Sequence, residues 1–117
     1  MVDISDEYMQ ARLTKVRTYS LLQLKIGPNY QPRDVRSAEQ SKIVREHGRR
    51  NMQLQAEGKM ALVGPVHDAG ALVGIGIFTV PEAEARVLMD ADPAVQAGIL
   101  VCEYATLYGF PGDGLPA

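Results

Sequence analysis

The sequence predicts an α+β domain: a four-stranded antiparallel sheet with two helices on one face, in the ferredoxin-like order βαββαβ. Three observations lead there. Residues 16–26 alternate in the two-residue period of a strand. Residues 35–57 carry apolar and buried-type side chains at three-and-four spacing, the period of a helix packed by one side. Two short apolar runs, 60–64 and 71–80, flank Pro65-Val66-His67-Asp68-Ala69-Gly70, and a second helix and a last strand follow.

Ser5 is placed to cap a short helix over 6–13, with Tyr8, Met9 and Leu13 on one side. Residues 1–15 therefore read as a short helix or an arm, residues 16–108 as the domain, and residues 109–117 as a loose tail rich in Gly and Pro. In the first strand Ser20, Leu22, Leu24 and Ile26 alternate with Tyr19, Leu21, Gln23 and Lys25, giving one apolar and one mixed face. Gly27-Pro28-Asn29 ends it.

Asp34 or Ser37 can cap the long helix, whose stripe comprises Ala38, Ile43, Val44, His47, Asn51 and Leu54. Gly58 suits the position just past its end. Gly48 in its interior costs about 1 kcal/mol relative to Ala, which points to close packing or to space left open there. Gly74 and Gly76 share one face of the third strand, a sign of close approach by another group. Pro81 opens the second helix, with Ala83, Val87, Leu88 and Ala91 expected on its buried side. Asp92-Pro93 restarts the chain as a turn of helix, and residues 99–108 form the last strand.

Composition narrows the function. The chain has 117 residues, a net charge of −2 and a pI near 5.6, so one domain is expected and there is no basic surface for nucleic acid or anionic membranes. The central strands also lack the aromatics with which sheet proteins of this order stack RNA bases. No run approaches the ~20 apolar residues of a membrane span, and the acidic N-terminus does not resemble a signal peptide. A lone cysteine, Cys102, fits a reducing, cytoplasmic setting.

His47 is the principal candidate for chemistry, because an imidazole can serve as general acid or base near neutral pH. Asp92 is first an N-cap followed by proline, but a capping carboxylate can also accept the histidine N–H and fix its tautomer. His67 and Asp68 read as an exposed turn or as the mouth of a cleft. No HxH or HxxxH spacing supports a metal site, and none is expected. Lys25 and Arg50 are the cations considered for an anionic ligand. Cys102 reads as a small hydrophobe in a strand rather than a nucleophile.

The ordered set Glu46-His47, Leu54-Gln55-Ala56-Glu57-Gly58-Lys59, Leu62-Val63-Gly64-Pro65, Gly74-Ile75 and Ala91-Asp92-Pro93-Ala94-Val95-Gln96-Ala97-Gly98 resembles the YCII-like (YCII-related) domain family of the dimeric α+β barrel superfamily, over residues 18–108. The resemblance implies a homodimer whose sheets face each other, and a cleft in which a histidine and an aspartate, here His47 and Asp92, form a catalytic pair. Most members lack an established reaction. A relative is a dehydrochlorinase acting on a chlorinated hydroxyhydroquinone, and muconolactone isomerase shares the superfamily. The implied activity is proton transfer on a small, aromatic-derived or lactone-like substrate without an organic cofactor. The alternative is a dimeric module that binds a small molecule or serves only structure. Gly64 and Pro65 match the cleft edge, and with Asn51 and His67 they are the expected substrate contacts. The residue after the family's histidine is often leucine and here is Gly48; the fourth after it is often apolar and here is Asn51.

Overall fold

A computed structural model describes residues 1–117. The strands are β1 (Arg17–Ile26), β2 (Met60–Pro65), β3 (Leu72–Phe78) and β4 (Leu100–Gly109), and the helices are α1 (Asp6–Leu13), α2 (Ala38–Ala56), α3 (Glu82–Asp90) and α4 (Pro93–Gln96). All strand pairs are antiparallel, in the order β2-β3-β1-β4. This is the α+β, ferredoxin-like βαββαβ arrangement expected from the sequence.

Caps fix where the helices begin. The Ser5 hydroxyl accepts from the Tyr8 N–H, and the Ser37 hydroxyl from the Gln40 N–H. Of the two caps proposed for α2, Ser37 is therefore the one used. Asp34 sits instead in a 3-10 turn over Arg33–Val35. Gly58 ends α2 with φ +78°, and Lys59 N–H reaches back to the Leu54 carbonyl at 3.0 Å, turning the chain into β2.

The register divides the sheet into two faces. On the helix side, Val63, Gly76, Leu22 and Tyr104 lie in one cross-strand row, and Met60, Phe78, Ser20 and Thr106 in the next. Leu22, Leu24, Met60 and Phe78 are buried there with Leu54 of α2, Ala85 and Met89 of α3 and Ala94 of α4. The glycines of β3 mark close approach, as expected. A Cβ on Gly76 would stand 2.8 Å from the Met60 methyl, and one on Gly74 would stand 3.2 Å from a Leu24 methyl. The opposite face carries Leu62, Ile77, Leu21 and Ala105 in a row, with Tyr19, Gln23, Lys25 and Ile75 beside them. No helix of this chain packs over that row.

One expectation is corrected. In α3 the buried side is Ala85 and Met89 with Leu88 half-buried, whereas Ala83, Val87 and Ala91 are exposed. The helix has apolar residues on two adjoining stripes, and docking chose the one carrying Met89. At the other end of the chain, the tail contacts α1: Arg12 makes two hydrogen bonds to the Asp113 carboxylate, at 2.9 and 3.0 Å, and its guanidinium lies over the Phe110 ring.

Candidate active site

α2 lays His47, Gly48 and Asn51 over the end of the sheet where Leu24, Gly74 and Pro65 meet in one row. Between them lies a cavity of about 510 Å³, within the range of roughly 300–1,000 Å³ usual for small-molecule sites. Its apolar walls include Val44, Val63, Val73 and Ile99. Gly48 accounts for part of the space. A Cβ built there meets nothing within 4 Å, so of the two explanations for a mid-helix glycine, open space is the correct one.

His47 and Asp92, 45 residues apart, meet at this cavity. Nδ1 of His47 lies 2.9 Å from each carboxylate oxygen of Asp92. An ionised carboxylate only accepts, so Nδ1 carries the proton toward Asp92, and in the neutral ring Nε2 is the nitrogen with the lone pair. Asp92 is completely buried and His47 is 9% exposed. The carboxylate is stabilised by donors: beyond His47, one oxygen accepts the backbone N–H of Ala94 at 3.0 Å and of Val95 at 3.2 Å. Asp92 thus caps α4 and orients the imidazole at once, and both roles read from the sequence hold together.

Asn51, one turn after His47 on α2, completes the chain. Its side-chain amide nitrogen stands 3.2 Å from Nε2, while its carbonyl oxygen is buried without a partner. A buried, unpaired acceptor beside a titratable ring is costly for the fold. Its position matches a group that a bound molecule or a protonated imidazole can satisfy.

The other sequence-selected residues divide. Gly64, Pro65 and His67 line the cavity, and Asp68 does not. No three of His, Cys, Asp or Glu are grouped as metal ligands. Lys25 lies on the opposite sheet face, 2.8 Å from Glu103, and Arg50 does not line the cavity. Strand parity carried the signal for Lys25: Lys25 shares its face with Tyr19, Leu21 and Gln23, not with Leu24. The cations that do line the cavity are Arg33 and Arg36, at the 3-10 turn between β1 and α2, where no periodicity pointed to them. Cys102 is half-buried, and burial pushes its thiol up from 9.0 to about 11, which suits an inert side chain.

The YCII-related domain family matches residues 24–106, most of the chain and all four strands in whole or part. The chain belongs to the YCII-related domain family. No curated protein matches it. The match contains both His47 and Asp92, together with the entire loop that carries Arg33 and Arg36. The N-terminal helix α1 and the tail lie outside it.

Proposed function

We propose that this YCII-related domain is an enzyme that moves a proton on a small molecule, of isomerase or lyase (dehydrochlorinase) type, without an organic cofactor. The observation that carries the reading is the 2.9 Å contact of His47 Nδ1 with the buried Asp92 carboxylate at the wall of the 510 Å³ cavity. His47 Nε2 takes a proton from a carbon acid held in the cavity, and Asp92 stabilises the resulting imidazolium without itself taking the proton. Apolar walls exclude water and strengthen that electrostatic support. Gly64, Pro65 and His67 shape the substrate's side of the cavity, and Asn51 rotates its amide to offer its carbonyl oxygen to the newly formed Nε2–H.

The test is deuterium exchange into a panel of lactones, enolisable acids and chlorinated hydroquinones in D₂O, followed by proton NMR. Exchange or elimination with the wild-type chain that is lost in His47→Gln supports the reading. No turnover of any panel member, with His47→Gln binding ligands as well as wild type, overturns it. One observation favours a second reading, a non-catalytic small-molecule-binding module: in the resting site Asn51 already occupies the lone pair that a base would use.

The same proposal includes a homodimer in which two sheets face each other. The row Leu62, Ile77, Leu21 and Ala105 would meet its copy across a two-fold axis, which suits an apolar row on a mixed sheet face without helices. Sedimentation equilibrium of the 12.8 kDa chain should give twice that mass, and Leu21→Glu with Ile77→Glu should return it to a monomer.

A further inference from the structure

The cavity's charge is one-sided. Arg33 and Arg36 line it, and no Asp or Glu does. The chain as a whole is acidic, with a net charge of −2, so this cationic lining is local. Ion pairs elsewhere engage Arg12, Lys25, Arg49 and Arg86, but neither Arg33 nor Arg36 has a carboxylate partner. Two guanidinium groups at an apolar cavity, without carboxylate partners in the protein, form a binding arrangement for an anion.

The loop that carries them is held in place rather than left loose. Gln40 of α2 is buried; its side-chain oxygen accepts from the Gln31 N–H at 2.8 Å, and its amide nitrogen donates to the Asn29 carbonyl at 2.9 Å. The Gln31 side chain in turn accepts from the Ser37 N–H at 2.9 Å. Arg36 donates from Nε to the Gln31 carbonyl at 3.2 Å, which fixes the plane of its guanidinium and leaves the two terminal nitrogens without protein acceptors. A residue one turn before Ile43 and Val44 on the same helix as His47 thereby sets the position of the arginines relative to the base. Arg36, held this way, binds with less ordering cost than a free surface arginine, and Arg33 is an exposed side chain beside it.

We infer that the cavity takes a carboxylate-bearing small molecule with an apolar body, its carboxylate held by Arg33 and Arg36 and its body against Leu24, Val44, Val63 and Ile99. The inference rests on reading the cavity as the substrate site, but it does not require that site to be catalytic. A planar carboxylate matches the two-pronged geometry of a guanidinium, and the four walls named carry no polar side chain for a second charge.

The test compares matched acids and amides: benzoate with benzamide, and 3-phenylpropionate with its amide, titrated into the ¹⁵N-labelled chain. The acids should bind at least about tenfold more tightly than the amides, and Arg33→Gln and Arg36→Gln should each weaken the acids by about tenfold while sparing the amides. Arg36→Lys should fall between, since it keeps the charge and loses the fork. Equal binding of acid and amide, binding of neither at millimolar concentration, or acid binding untouched by both substitutions overturns the inference. Inorganic phosphate displacing benzoate at equal concentration overturns the carboxylate assignment. Acid selectivity in a protein that shows no His47-dependent proton exchange sinks the enzyme reading alone, and exchange without acid selectivity sinks this one alone.

Discussion

The amide nitrogen of Asn51 stands 3.2 Å from Nε2 of His47, so the ring nitrogen opposite Asp92 is engaged in the resting site while the Asn51 carbonyl stays unpaired. An asparagine is suited to this place because it can present either a donor or an acceptor after a half-turn of its amide. Leucine there would fill similar volume and remove a buried, unsatisfied oxygen. Asn51→Leu should therefore leave stability within about 1 kcal/mol of wild type in urea unfolding. It should move the His47 Nε2 resonance in ¹⁵N NMR while Nδ1 stays protonated.

Asp92 should behave differently. Its carboxylate accepts from His47, Ala94 and Val95 with no access to water. Asp92→Ala leaves the buried His47 and Ala94 donors and the half-buried Val95 N–H without their acceptor and should cost about 3 kcal/mol in the same unfolding experiment. Asp92→Asn should cost less and should abolish the single Nδ1–H tautomer, read from the two ring ¹⁵N shifts of His47.

Gly48 separates helix stability from cavity space. Because a Cβ there meets nothing within 4 Å, Gly48→Ala should stabilise the chain by about 1 kcal/mol, the intrinsic preference of a helix interior for Ala. Gly48→Leu should keep the fold, judged by circular dichroism, and abolish the response of His47 to benzoate by occupying the cavity.

Gly27 shows the opposite environment. A Cβ at Gly27 would run into the backbone carbonyl of Gly98, and the Gly27 N–H donates to the Ile99 carbonyl at 2.8 Å. Backbone cannot turn aside as a methionine methyl can. Gly27→Ala should lower stability by about 3 kcal/mol, measured by urea unfolding, and should disturb the amide resonances of Asp92 and Ala94 on the adjoining segment.

Alkaline pH should weaken the fold through Cys102. Burial raises its pKa from 9.0 to about 11, so the folded chain holds the thiol proton more firmly than the unfolded chain. That contribution is complete below pH 9 and is lost as the pH rises toward 11. The Tyr104 phenol, raised by burial and then by the neighbouring Cys102, acts in the same direction at higher pH. Cys102→Ala should reduce the fall in thermal midpoint between pH 9 and 11, and the wild-type thiol should react slowly with a disulfide reagent at pH 8.

Much of this architecture follows from local chemistry that the sequence carries on its own. Strand and helix periods differ, and glycine and proline mark the ends, so the order βαββαβ was legible together with the Ser5 cap and the stop at Gly58, while Ser37 was one of two candidate caps. His47 and Asp92 were legible as residues, one by its place on a helix stripe, the other as an N-cap before proline and both through family resemblance. Their meeting was legible only through that resemblance, since no local period carries a contact across 45 residues, which depends on how α2 and α4 dock. Docking likewise decided between the two apolar stripes of α3, because a nine-residue helix offers both. It also placed Arg33 and Arg36 at the cavity: the connection between β1 and α2 has no period from which direction can be read, and its shape comes from hydrogen bonds such as those of the buried Gln40 and of Gln31. The sequence by itself determined which elements form and which chemical groups they carry. The tertiary structure alone decided which of those groups share a cavity, since that depends on packing between segments distant along the chain.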